Sequence, residues 1–207
     1  MADWFRRFGD IPGVAYMPPS NFDRSKLSGH DAVPEIHVYE FDGRRRENLM
    51  WRFDGRATSA SPAHELAFGS NAVDQPTAEI LQRVAEGLEL PGEPSDYHFL
   101  IQGSAGALWD RRRAEPWALA EVERLCRLDI QLVQALPSAV MADDRAEPKF
   151  FRITTFPLLI GLYEREGFLR EALEVAEMAV RYGQEDRLRN QLVERIQAVE
   201  AEANVGP

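Results

Sequence analysis

Residues 155–183, TFPLLIGLYEREGFLREALEVAEMAVRYG, decide the fold of the C-terminal half. Leu158, Leu159, Leu162 and Tyr163 recur at helical spacing. Thr155 ahead of them can accept hydrogen bonds from free backbone N–H groups, and Pro157 falls in the first turn, where a missing N–H costs nothing. Gly167 stops this run, because glycine takes the left-handed backbone that ends a helix without a Cβ clash. Phe168, Leu169, Ala172, Leu173, Val175, Ala176, Ala179 and Val180 then trace a second apolar face, which Gly183 closes. So short a break folds the two helices into an antiparallel hairpin.

The hairpin resembles a tetratricopeptide (TPR) unit, a helix pair of about 34 residues. The likeness is carried by Phe156 and Leu159 at the large apolar positions, then Tyr163, Gly167, Ala172 and Ala179 at the family's spacing. Small alanines let two helix backbones approach closely, and the tyrosine fills the gap beside them. Ile160 stands where the family has a small glycine, and Gln184 where a proline ends the unit. The pattern occurs once, whereas about three units are needed for a free-standing superhelix, so a lone TPR-like hairpin is expected and an array is not. An antiparallel helix pair of no particular family fits the same residues. The resemblance implies a protein-binding surface on the first helix, with Pro157, Gly161, Glu164 and Arg165 facing outward beside the exposed side of the preceding helix.

That preceding helix is predicted over residues 116–136, with Val122, Leu125, Cys126, Leu128, Leu132 and Val133 on its apolar side. A loop over 137–148, containing Asp143 and Asp144, separates it from the hairpin. A last helix over about 185–203 caps the hairpin with Leu188, Leu192, Val193, Ile196 and Val199. Toward the N-terminus, residues 77–90 read as an amphipathic helix carrying Ile80, Leu81, Val84 and Leu88. Residues 35–41 alternate, with Ile36 and Val38 against His37 and Glu40, and Asp42-Gly43 is a turn signal before the large residues at 48–53, so a β-hairpin is expected there. Residues 54–76 read as a surface loop with a weak helical piece at 64–68, and Tyr97 to Ile101 as a buried strand joining the sheet. Residues 1–34, rich in Gly and Pro, read as an arm anchored by Trp4, Phe5, Phe8, Tyr16 and Phe22, packing on its own chain or on a second copy as a homo-oligomer contact. The expected class is α+β: a small, mostly antiparallel sheet with one helix in residues 1–110, and an all-helical half in residues 111–207 containing the hairpin at 155–183 and its capping helix.

The chain has 207 residues, 44% hydrophobic and 28% charged, which suits a folded core and not disorder. A net charge of −10 repels nucleic acid and anionic lipid and favours a basic protein partner. The one cysteine, Cys126, can form neither an internal disulfide nor a zinc site alone, which fits a reducing cytoplasm. No apolar run reaches membrane-spanning length. Arginine outnumbers lysine 22 to 2, a skew that points to a GC-rich bacterial genome.

Three groups of residues could carry chemistry. Arg44, Arg45 and Arg46 on the hairpin connection, Gly103, Ser104, Ala105 and Gly106 as a turn after the predicted strand, and Arg111, Arg112 and Arg113 would together make an anion site if they converged. His30, Asp31, Glu35 and His37 could hold a divalent metal or form an acid–base pair, and His37 could meet His98 across the sheet. His64-Glu65 begins like a zinc-protease helix, but Phe68 stands where the second histidine belongs, which rejects that motif. No group matches a catalytic motif. The sequence reading is therefore a cytoplasmic protein-binding module of the adaptor, chaperone or immunity type, needing no cofactor, with a metal- or nucleotide-dependent enzyme or small-ligand protein as the alternative.

Overall fold

In a computed structural model of the chain, which describes residues 3–20, 22–41, 43–68, 75–143 and 149–205, Gly167 adopts φ +86° and ends helix α5 (Thr155–Glu166). Helix α6 (Leu169–Val180) starts two residues later. Gln184, where the repeat pattern has proline, binds back to the segment ahead of α5: its Oε1 accepts from Ile153 N (3.0 Å) and its Nε2 donates to Phe151 O (2.9 Å). Helix α7 (Asp186–Val205) follows and packs on α6.

The α+β class holds, with more helix in the first half than expected. Strands β1 (Glu35–Phe41), β2 (Arg44–Phe53) and β3 (Arg56–Thr58) form an antiparallel sheet in chain order. Ile36 pairs with Leu49, Val38 with Glu47, and Phe41 with Arg44. The arginine triplet therefore opens β2 and does not form a connection. Asp42 of the turn lies outside the described residues. The third strand comes from the stretch expected to be loop, because Asp54 (φ 53°) and Gly55 (φ 71°) make a two-residue turn whose twist suits a hairpin. Helices α1 (Pro62–Phe68) and α2 (Thr77–Leu88) follow.

Tyr97 to Ile101, expected as a strand, lies inside helix α3 (Pro94–Arg111). Pro94 occupies the first turn, and Glu93 and Asp96 cap each other's backbone N–H groups. This start signal outweighs the β preference of an aromatic run. Gly103 to Gly106 are interior to the same helix, so no phosphate-cradling turn exists, and His98 stands on α3, away from any strand that could pair it with His37.

Helix α4 (Ala118–Ala135) completes an antiparallel pair with α3, and a short ribbon, β4 (Met141–Asp143) with β5 (Lys149–Phe150), leads to α5. From α3 to α7 each helix packs on the next, and α3 also reaches α5. One buried apolar cluster runs from Phe8 to Leu192 through all of them, crossing residues 110 and 111 without interruption. The sheet has a separate small core of Ala32, Leu49, Trp51 and Phe53, closed by Trp4 edge-on to Trp51 at 5.7 Å. The N-terminal arm packs on its own body. Phe8 and Ile11 are buried, Phe5 pairs with Gly92, and the Arg24 guanidinium donates to the carbonyls of Glu89 (2.7 Å), Arg6 (3.0 Å) and His30. No helix among the described residues is long and apolar enough to cross a membrane.

Candidate interaction surface

The most polar part of the interior joins three helices. Asp129 on α4 accepts from His98 Nδ1 on α3 (2.7 Å) and from Thr155 Oγ1 at the start of α5 (2.6 Å). His98, Asp129 and Thr155 are each 0% exposed. With Asp129 as acceptor, Nδ1 carries the proton, and Nε2 is buried without a hydrogen-bond partner among the described residues. No substrate can reach a group sealed in this way, so the network is a helix tie and not a catalytic dyad. Cys126, one turn before Asp129, is also sealed, and burial pushes its thiol well above the usual range. It is inert.

A second polar cluster ties α1 to α3. Ser61 Oγ caps α1 by accepting from His64 N (2.9 Å) and donates to Asp96 Oδ2 (2.7 Å), while His64 Nδ1 meets Asp96 Oδ1 at 2.9 Å. The serine hydroxyl and the imidazole Nδ1 each turn to a separate oxygen of the Asp96 carboxylate. A nucleophile needs its base within hydrogen-bond reach, so this trio also acts as a joint.

Several of the residues expected to carry ligands engage neighbours in the chain. His30 Nδ1 donates to the Leu27 carbonyl (2.9 Å), and His37 stacks on Tyr39 with centroids 6.1 Å apart. No group of three or more His, Cys, Asp or Glu side chains among the described residues could hold a metal ion. Each arginine triplet has local partners: Arg45 meets Glu47 at 4.0 Å and Arg46 lies over Phe41, whereas Arg111 donates to Thr77 (3.2 Å) and Arg112 lies over Trp109. The Arg44 side chain lies outside the described residues. On α5, Gly161 sits beside Trp109 of α3, Glu164 pairs with Arg195 of α7 at 3.2 Å, Pro157 is half-buried, and Arg165 is exposed beside Glu166.

The exposed side of α4 meets α6 across a groove of about 200 Å³. Its floor is apolar, formed by Ile130, Leu159 and Val175, with Met178 half-buried at one wall. Arg127 and Tyr163 at one end are internally satisfied: Arg127 pairs with Glu123 (2.9 Å), and Tyr163 Oη donates to the same carboxylate (2.9 Å). Burial, and then that hydrogen bond, push the Tyr163 hydroxyl up to about 12. Glu171 and Glu174 on the opposite wall are exposed and have no hydrogen bond or ion pair among the described residues. The volume falls below the roughly 300–1,000 Å³ of small-molecule pockets, and suits one long side chain. An arginine or lysine fits its chemistry, laying an aliphatic stem on the floor and a cationic head against the carboxylates. The spacing of Glu171 and Glu174 on α6 was readable from sequence, but that α4 stands opposite them was not.

Comparison of the chain with protein-family models, with characterised proteins and with solved structures finds no match.

Proposed function

We propose that the chain is a protein-binding module without catalytic activity, and that it receives a basic side chain of a partner protein in the groove between α4 and α6. The observation that carries this reading is the pair Glu171 and Glu174, exposed and without an ion pair among the described residues, beside an apolar floor of side-chain size. The net charge of −10 supports it, since the surrounding field steers a cationic partner inward and raises its association rate. An adaptor, a chaperone or an immunity-type protein is the class of module proposed. A bacterial cytoplasm is the proposed setting, supported by the arginine-rich, lysine-poor composition and the lone buried thiol.

Affinity capture from the source cells tests the reading. A stoichiometric basic protein is expected, released by rising salt because exposed charge pairs are screened within a Debye length of about 10 Å at 0.1 M. Glu171→Lys combined with Glu174→Lys is expected to abolish capture while the far-UV circular dichroism stays unchanged. A partner retained by that double variant overturns the proposal.

A further inference from the structure

The outer half of the β1–β2 hairpin has no third strand. Every residue of β1 is exposed, with Ile36 at 53%, Val38 at 43%, Tyr39 at 39% and Phe41 at 61%. Strand β3 pairs only with residues 51–53 of β2, and the sheet's small core lies at that same end. Two strands with both faces in water are marginal on their own. The outer edge of β1 offers the backbone donors and acceptors of Ile36, Val38 and Glu40, since alternate residues already face β2, and the strand has no proline, lysine or bulge of the kind that blunts natural sheet edges.

We infer that β1 is the pairing edge of a symmetric dimer, in which it meets β1 of a second copy antiparallel about a two-fold axis at Val38. The strand's order suits itself. Val38 falls opposite Val38 of the second copy, His37 opposite Tyr39, Ile36 opposite Glu40, and Glu35 opposite Phe41. No two carboxylates face each other, and the His37–Tyr39 stack of each copy adjoins the other's across the axis. Self-pairing of the free stretch of β2, residues 44–50, is poorer: about its midpoint it sets Glu47 against Glu47, and about Arg45 it sets arginine against arginine. Electrostatics favours the same place: residues 35–58 carry five arginines and five carboxylates, so the hairpin is neutral on a chain of net charge −10, and two copies meet there with least repulsion. A seven-residue edge buries less than the roughly 1,600 Å² of a standard stable interface, so the dimer belongs to the weak, micromolar class. This inference does not depend on the groove.

Sedimentation velocity of the full chain over a concentration series tests it. The wild type is expected to pass from one chain mass to two through the micromolar range. Val38→Lys and Val38→Glu, on an exposed position, are each expected to stay monomeric with unchanged circular dichroism and melting temperature, and their equimolar mixture to dimerise, because the axis brings the two substituted positions together. Three results would each overturn the inference: a wild type monomeric at every concentration, as expected if the edge receives a strand of another protein; a dimer that survives Val38→Lys; or a mixture of the two variants that does not associate.

Discussion

Replacing Asp129 by alanine removes the acceptor that joins α3, α4 and α5. The carboxylate receives two hydrogen bonds, from His98 and Thr155, and both donors are wholly buried. After the substitution neither donor can reach water. Each orphaned buried donor costs about 1–3 kcal/mol, so the two together cost about 2–6 kcal/mol. Asp129→Ala is therefore expected to lose about 2–6 kcal/mol, against a total stability of about 5–15 kcal/mol for such a chain. In urea, with a slope of about 1–3 kcal/mol/M, the midpoint falls by about 1 M or more with the slope unchanged. Thr155→Val alone costs about 1–3 kcal/mol, because it leaves Asp129 one donor short. In the Asp129→Ala background the same change becomes neutral or stabilising, since it removes an orphaned hydroxyl. A loss below about 1 kcal/mol for Asp129→Ala, or additive costs for the two substitutions, would refute the reasoning.

Two further outcomes follow from helix α3 and from a buried carboxyl. A methyl group added at Gly103 or Gly106 would meet nothing within 4 Å beyond the adjoining backbone of α3 itself, so Gly103→Ala and Gly106→Ala should each raise stability by up to about 1 kcal/mol in thermal or urea unfolding, whereas a phosphate-binding turn would lose stability. The Glu89 side chain is 3% exposed, its Oε1 has no hydrogen-bond partner among the described residues, and Arg7 approaches its other oxygen only to 3.9 Å. Burial raises its carboxyl above the ordinary value of 4.5 despite Arg7 and Arg24 nearby. A carboxyl raised in the folded state destabilises progressively as pH climbs through that interval, and carries no penalty below both values. Glu89→Gln should therefore melt higher than wild type at neutral pH, with the difference vanishing below about pH 4 in melts across pH.

The C-terminal helices were legible because Gly167 and Gly183 punctuate apolar runs of period 3.6, and β1 and β2 because Ile36 and Val38 alternate before Asp-Gly. The same dipeptide at Asp54-Gly55 announced β3, but a three-residue strand has too little pattern to read. Helix α3 was hidden by local preference: Tyr97 to Ile101 is aromatic and branched, and two glycines follow. Its signal lay outside that run, in Glu93, Pro94 and Asp96. The groove was half legible. Glu171 and Glu174 share a helix face by spacing, yet their apolar floor needs Ile130 and Leu159 from other helices, and only tertiary packing brings those together. The tie between His98 and Asp129 spans 31 residues, though an aspartate amid Leu125, Cys126, Leu128 and Leu132 marked one end of it.

The chain has five methionines, and Met178 lines the groove while Met17 and Met50 lie on the N-terminal arm and on β2. Methyl NMR of the methionine-labelled chain, with the resonance assigned by Met178→Leu, therefore locates a captured partner directly. The Met178 signal is expected to shift or broaden on titration while those of Met17 and Met50 stay in place; a bound partner that leaves Met178 unmoved would contradict docking between α4 and α6.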